Sequence, residues 1–126
     1  MTKKLSAQEV ELLNEAQIAN VATVMADGTP QVTPVWIDTD GEHVLFNTAK
    51  GRVKHRNLVR NPKVAISVVD RNDPYRLVVL RGTAEFIEEG ADAHIDKLAK
   101  KYLDADTYPW RKDDEQRVIV KVTPEK

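Results

Sequence analysis

The chain has 126 residues, of which 41% are hydrophobic and 31% charged, and it contains no cysteine. This length suits one domain, residues 1–126, with a hydrophobic core of its own, and the composition excludes disordered and fibrous chains. The lack of cysteine excludes disulfides, thiolate metal sites and cysteine nucleophiles, and it predicts a cytoplasmic protein. Every apolar run is shorter than the roughly 20 residues that span a bilayer, and the first residues are polar, so we expect neither a membrane segment nor a signal peptide.

The net charge of −1 conceals a basic segment, residues 50–63, which holds six lysines and arginines and no acidic residue. The other 13 basic residues face 20 acidic ones, so the remainder of the chain carries −7. Such a remainder repels long polyanions, whereas the basic segment attracts a compact anion. We therefore expect a phosphorylated small molecule as partner and no nucleic acid.

The first predicted elements are a helix and a hairpin. Ser6-Ala7-Gln8-Glu9 matches a capping box and predicts a helix over Ala7–Asn14. β-Branched residues predict strands over Ile18–Val24 and Val32–Ile37. The hairpin dipeptide Asp27-Gly28 between them predicts that these strands are antiparallel neighbours.

A third strand and a basic helix follow. Asp40-Gly41 is a second hairpin dipeptide, and it leads into a strand over His43–Phe46. We expect this strand to complete a three-stranded meander. Residues 51–60 are compatible with a short basic helix, which ends at Asn61-Pro62 because the residue before a proline is disfavoured in a helix.

Two further strands are predicted in the middle of the chain. Val64–Val69 is an apolar strand, and a turn cluster over Asp70–Pro74 separates it from a long strand over Tyr75–Ile87. Gly82 interrupts the long strand and predicts a bulge or a bend of a barrel there.

The last elements are an amphipathic helix over Glu88–Leu103 and a strand over Val118–Val122. Six strands with about three helices predict a mainly β protein. The expected fold is a six-stranded antiparallel split β-barrel of Greek-key type, because closing or covering the sheet removes exposed edges.

The window Phe46–Leu58 has the composition of an anion site. The end of a strand, a glycine and a short basic helix in this order can present backbone N–H groups, a hydroxyl and several cations to one phosphate. A solvated basic helix is the alternative interpretation. The placement of the segment between a strand and a helix favours the anion site.

Five motifs occur in an order that resembles the pyridoxamine 5′-phosphate oxidase-like split-barrel superfamily. The pattern is most similar to the branch of reductases that use the deazaflavin coenzyme F-420. The five motifs are Val24–Pro30, Thr33–Trp36, Phe46–Thr48, Arg52–Leu58 and Asn61–Ala65. The resemblance extends from about Leu5 to Val122 and implies a homodimer with the cofactor at the interface between its two chains.

The resemblance also implies which residues bind the cofactor. Thr48, Arg52 and Lys54 would contact its phosphate, and neighbouring contacts would come from Lys50, Gly51 and Val53. Thr48 could equally cap the following helix.

The flat ring system would lie along Val35, Trp36 and Ile37. Tyr108, Pro109 and Trp110 fall where such proteins place aromatic residues of the partner chain. Without the resemblance, Trp36 would be interpreted as an ordinary core or interface aromatic.

Two cofactors are compatible with this pattern. Coenzyme F-420 is favoured because its phosphate and polyglutamate tail carry more negative charge than FMN, which matches the density of cations in residues 50–63. FMN is the alternative, as in pyridoxamine phosphate oxidases. This chain ends at Val118–Pro124 without the arginine- and tryptophan-bearing tail that holds the pyridoxal ring in those oxidases.

The expected function is transfer of a hydride from reduced F-420 to a quinone, a tetrapyrrole or a conjugated carbonyl compound. The cofactor carries that chemistry, so no protein group is assigned as catalytic. A non-enzymatic carrier or sensor of a flavin, deazaflavin or haem would use the same binding residues. His43, His55 and His94 are too widely spaced to predict a metal site, and we expect His43 and His94 on the surface.

Overall fold

The computed structural model describes residues 2–126, which form three helices and seven strands. The helices are α1 (Ala7–Asn14), α2 (Val53–Arg60) and α3 (Ala91–Leu103). The strands are β1 (Ile18–Val24), β2 (Pro30–Trp36), β3 (Asp38–Thr39), β4 (Val44–Ala49), β5 (Lys63–Asp70), β6 (Asp73–Ile87) and β7 (Arg117–Pro124). Within these residues no helix is long and apolar enough to cross a bilayer.

The strands form one antiparallel sheet in the order β2-β1-β5-β6-β7-β4-β3, which curls into a half-barrel. The predicted mainly β, split-barrel fold is confirmed, with one strand more than the six expected. The additional strand is β3, whose two residues pair with β4 through Asp38 opposite Leu45 and Thr39 opposite Val44.

The predicted meander of the first three strands is wrong. β1 and β2 pair as expected, but β4 pairs with β7 from Val44 opposite Val122 to Ala49 opposite Arg117. The chain leaves β2 at Ile37, which is fully buried, and crosses to the other end of the sheet. Side chains of α3 stabilise this crossing, because the Ile37 N–H lies 2.9 Å from Tyr102 Oη and Lys101 Nζ donates to the Ile37 carbonyl at 2.7 Å.

The core lies on the inner face of the curled sheet, where alternate residues of each strand point inward. Phe46 on β4, Ile66 on β5 and Leu80 on β6 are all at most 1% exposed. Helix α1 covers this face with Leu12 and Leu13.

The helix boundaries follow local chemistry. The capping box of α1 is confirmed: Ser6 Oγ accepts from the Glu9 N–H at 3.1 Å, and Glu9 Oε1 accepts from the Ser6 N–H at 2.9 Å. Helix α3 begins at Ala91, three residues later than predicted. Gly90 precedes it in the left-handed region, with φ of +79°, which a continuous helix does not allow.

Gly82 permits a close approach of strands and does not form a bulge. Pairing continues regularly through Gly82, opposite Val64 and Pro124, and the irregularity between β5 and β6 falls at Val69 and Asp70. A Cβ atom at Gly82 would lie 2.2 Å from the backbone oxygen of Thr123. The glycine is therefore required by the contact between β6 and β7.

Gly82→Ala should lower the free energy of unfolding by about 3 kcal/mol, because backbone atoms on β7 must move to admit the methyl group. Urea denaturation of the two proteins measures this difference. Glu85→Ala, on the exposed face of the same strand, serves as the control and should change stability by less than about 0.5 kcal/mol. Equal stability of Gly82→Ala and the parent protein would contradict the close approach.

Candidate functional site

A cavity of about 330 Å³ lies between β2 and β4, which belong to opposite ends of the sheet. Helix α3 and the loop before β7 complete its wall. The lining residues are Ile18, Pro34, Val35, Trp36, Asn47, Thr48, Arg52, Lys54, Ile95, Leu98, Tyr108, Trp110 and Arg117. None of these residues is acidic, so the cavity favours an anionic ligand.

Most of the residues predicted to bind the cofactor meet in this cavity. Those that line it are Val35, Trp36, Thr48, Arg52, Lys54, Tyr108 and Trp110. Four others lie outside the lining: Ile37 in the buried crossing, Lys50 in an ion pair with Glu88, Gly51 in the turn before α2, and Val53 at the first position of α2. Cofactor binding by all eleven residues stays a prediction.

Trp36 is the centre of an aromatic cluster on one wall. Its ring stacks on Tyr102 with centroids 5.3 Å apart and an angle of 7° between the planes. Tyr108 meets it edge-on at 6.0 Å, and Trp110 lies 6.4 Å away. Aromatic contacts of this kind hold the Trp36 ring in one orientation.

Tyr108 and Trp110 reach the cavity of their own chain. The loop that carries them is fastened to α3, since the Tyr108 N–H donates to Asp96 Oδ1 at 2.8 Å and Arg111 pairs with Asp92 at 3.1 Å. The resemblance suggested aromatic residues from a partner chain at this position. In the structure, Tyr108 and Trp110 of the same chain contact Trp36.

The cavity lining also carries cations that are only partly compensated. Lys54 Nζ donates to Thr33 Oγ1 at 2.7 Å, and burial together with the nearby charge of Arg52 lowers the pKa of Lys54. Arg52 Nη2 donates to Glu115 Oε2 at 2.7 Å. A bound anion would favour the charged form of Lys54, because it would replace the lost water.

Two buried side-chain nitrogen or oxygen atoms in residues 2–126 have no hydrogen-bond partner, and both belong to residues that line this cavity. They are Thr48 Oγ1 and Arg117 Nε. Buried polar atoms are almost always paired in folded proteins, so this pair marks a place for a ligand oxygen. The residues present therefore fit the phosphate of a flavin-type cofactor, which supplies several acceptor oxygens and negative charge.

Sequence reasoning missed Arg117. It lies one residue before the strand predicted over Val118–Val122, where an isolated arginine gives no signal of burial. In the structure its side chain is only 4% exposed. Its guanidinium lies over the ring of Tyr108, 4.8 Å from the centroid.

The prediction that His94 lies on the surface is wrong. His94 is 8% exposed, because its face of α3 packs against β4 and β7, and its Nε2 lies 3.1 Å from Asp38 Oδ2. His43 is half-buried and pairs with Asp40. Among residues 2–126, no group of three or more His, Asp or Glu side chains is placed to hold a metal ion.

Asp38 is a buried carboxylate held in its charged form. Burial by itself would raise the pKa of Asp38, but the hydrogen bonds to Asp38 together outweigh burial, and the largest of them comes from His94. With further contacts from the Thr39 backbone and Lys97, this bond lowers the pKa of Asp38 to about 2.

A larger groove of about 810 Å³ lies elsewhere, and it is lined partly by Lys63, Val64, Arg81 and Gly82. It contains none of the residues predicted to bind the cofactor. Its surface is mostly apolar, and none of its lining residues has an unpaired buried side-chain nitrogen or oxygen atom. The smaller cavity is therefore the better candidate.

Asp38→Asn should lower the free energy of unfolding at pH 7 by about 2 kcal/mol, which corresponds to the lowered pKa of Asp38. A carboxylate with a lowered pKa stabilises the fold above its usual pKa of 3.8 and loses that effect as pH falls towards 2. The difference between parent and variant should therefore shrink over that range in urea titrations. The exposed Asp113→Asn is the control. A difference that is equal at pH 7 and pH 2 would show that Asp38 acts through packing alone.

Comparison with known proteins agrees with the fold. The family profile described as pyridoxamine 5′-phosphate oxidase matches residues 5–126. A solved structure described as an F-420 reductase has 38% sequence identity and a TM-score of 0.82, with 92% of each chain covered. Among functionally curated proteins, no significant match was found.

Two more distant structures share the fold. A candidate pyridoxamine 5′-phosphate oxidase from Lactobacillus delbrueckii is 26% identical with a TM-score of 0.67, covering 99% of this chain and 97% of its own. HupZ from Group A Streptococcus is 27% identical with a TM-score of 0.67, covering 96% of this chain and 90% of its own. Since the profile spans nearly the whole sequence, the chain belongs to the pyridoxamine 5′-phosphate oxidase family.

Proposed function

We propose that this protein is a cytoplasmic oxidoreductase that binds reduced coenzyme F-420 and transfers a hydride to an electron-poor small molecule. The observation that carries the proposal is the cavity itself. Its lining combines cations, the residue of an unpaired buried hydroxyl and an aromatic cluster around Trp36. The likeness to a reductase described by its F-420 chemistry favours this cofactor over FMN.

Thr48, Arg52 and Lys54 would hold the phosphate. Thr48 Oγ1 can donate to a ligand, because it has no hydrogen-bond partner within the described residues. Lys54 is partly desolvated, so an anion gains more from its charge than it would from a lysine in water. Glu115 offsets Arg52 only in part, since it is shared with Arg117.

The ring system would lie along the end of β2, at Val35 and Trp36. The contacts of Trp36 with Tyr102 and Tyr108 fix its orientation, so a flat ligand meets a wall that does not rearrange. Bound reduced deazaflavin would supply the hydride. The protein would orient the acceptor over the ring, exclude water with its apolar wall and stabilise negative charge that develops on the acceptor.

A second copy of the chain would complete the site. Exposed apolar side chains lie on the outer face of neighbouring strands, at Ile18, Val32, Val69, Leu77 and Val79. Ile18 also lines the cavity, so this apolar face is continuous with its mouth. A partner chain packed there would remove the apolar face from water and deepen the cavity, as the family resemblance implies.

Lys54→Ala should weaken binding of both F-420 and FMN by about tenfold to a hundredfold, the usual effect of losing a charge-assisted hydrogen bond. Fluorescence titration of the apo-protein measures both affinities, and F-420 should bind more tightly. Arg56→Ala removes an exposed cation from the same helix and should change binding by less than about threefold. Unchanged affinity in Lys54→Ala would contradict the assigned phosphate contact.

Val79→Lys should convert a homodimer into monomers and weaken cofactor binding, because it places a charge in the proposed apolar interface. Val79 is 62% exposed in the single chain. Val59→Lys alters a residue on α2 that is 63% exposed but lies off this face, and it should leave the dimer intact. Sedimentation velocity distinguishes the two species. A monomeric parent protein would rule the proposed interface out.

Protein loaded with reduced F-420 should lose its hydride to one acceptor class at least about a hundredfold faster than free cofactor does, since binding orients the reactants. Anaerobic stopped-flow mixing with a quinone, a tetrapyrrole and a conjugated carbonyl compound follows the return of the oxidised absorption band. If the protein slowed the oxidation by all three classes, it would be a carrier that protects its cofactor.

A further inference from the structure

A chain of buried polar contacts leads from Asp38 to the cavity. Asp38 on β3 contacts His94 on α3, His94 contacts Asn47 on β4, and Asn47 contacts Arg117 on β7. The family resemblance assigned none of these four residues. Three of them, Asp38, His94 and Arg117, are buried.

The hydrogen bonds fix the direction of each donor along this chain. The Asn47 side-chain nitrogen lies 2.9 Å from the Ala91 carbonyl oxygen, which can only accept. The same nitrogen lies 3.1 Å from His94 Nδ1, which must therefore accept as well. His94 then carries its proton on Nε2 and donates it to the Asp38 carboxylate at 3.1 Å.

This arrangement leaves Asn47 Oδ1 as an acceptor for Arg117. Nη1 of Arg117 lies 3.4 Å from Asn47 Oδ1, and its Nη2 lies 3.1 Å from Glu115 Oε1. The face of the guanidinium lies against Tyr108. Two of its three nitrogens are thus engaged, and Nε is the one that remains unpaired and buried.

Glu115 links Arg117 to Arg52. One of its carboxylate oxygens accepts from Arg117 at 3.1 Å and the other accepts from Arg52 at 2.7 Å. A single carboxylate therefore holds two guanidinium groups, and the pair retains a net positive charge. Thr48, whose Oγ1 is the other unpaired buried atom, lines the same cavity.

We propose that Arg117 donates through Nε to a phosphate oxygen in the cavity, and that Asp38, His94 and Asn47 position it for this contact. The inference rests on the proposed function in that the phosphate is that of the bound cofactor. Arg117 is the binding residue. Asp38, His94 and Asn47 act through it and are positioning residues.

Paired ligands isolate the phosphate contact from every other effect. FMN and riboflavin differ only in the phosphate, so the ratio of their dissociation constants measures what the phosphate adds. Partial unfolding of a variant weakens both ligands equally and leaves this ratio unchanged. The ratio therefore separates a positioning role from a purely structural one.

Arg117→Lys keeps the charge but removes Nε, and it should lower the riboflavin-to-FMN ratio about tenfold or more. Asn47→Leu should lower it about threefold to tenfold, because Arg117 loses one of its two tethers. Lys121→Met on the same strand, outside the cavity, is the matched control and should leave the ratio within about twofold. ¹⁵N NMR of the parent protein should show the His94 proton on Nε2.

A ratio in Arg117→Lys equal to that of the parent protein would overturn the inference while leaving the proposed function intact. A His94 proton on Nδ1 would overturn the positioning role. Failure of the parent protein to bind FMN, riboflavin or F-420 would instead refute the proposed function. In that case, inorganic phosphate should still raise the melting temperature of the parent protein more than that of Arg117→Lys, and equal shifts would overturn the inference.

Discussion

The antiparallel pairing of β4 with β7 is the constraint on which the cavity depends. It sets Thr48 opposite Val118 and Ala49 opposite Arg117, so that Thr48 and Arg117, which are 69 positions apart along the chain, lie one position apart in the register and both line the cavity. It also leaves β2 without a hydrogen-bonded neighbour on its outer side, and the cavity opens in this gap. The buried crossing at Ile37, held by Tyr102 and Lys101, keeps the two ends of the sheet apart.

Electrostatics give this cavity its chemical character. Arg52, Lys54 and Arg117 converge on it with one carboxylate, Glu115, shared between the two arginines. Partial burial of such cations costs free energy in the absence of a ligand, and the lowered pKa of Lys54 is one sign of that cost. The negative charge of a bound phosphate would offset this free-energy cost. Binding of an anion would therefore be favoured by the relief of this desolvation cost.

Local sequence signals predicted much of this fold, whereas contacts between residues far apart in the sequence could not be predicted. The capping box at Ser6 predicted the observed bounds of α1, and the segment Phe46–Leu58 contained Thr48, Arg52 and Lys54, which line the cavity. The dipeptide Asp40-Gly41 predicted a turn, but a turn does not specify which strands pair on its two sides. The strand before this turn is the short β3, which pairs with β4 in place of β2. Asp38 and His94 are 56 residues apart, so neither position signals a buried pair.

A crystal structure of the protein with F-420 or FMN bound would test the central claim most directly. We expect the phosphate within hydrogen-bond distance of Thr48 Oγ1 and beside Arg52 and Lys54, with the ring system along Trp36 at the mouth shared with a second chain. A ligand bound instead in the larger groove beside Lys63 and Arg81, or with its phosphate turned away from Thr48, would contradict the account.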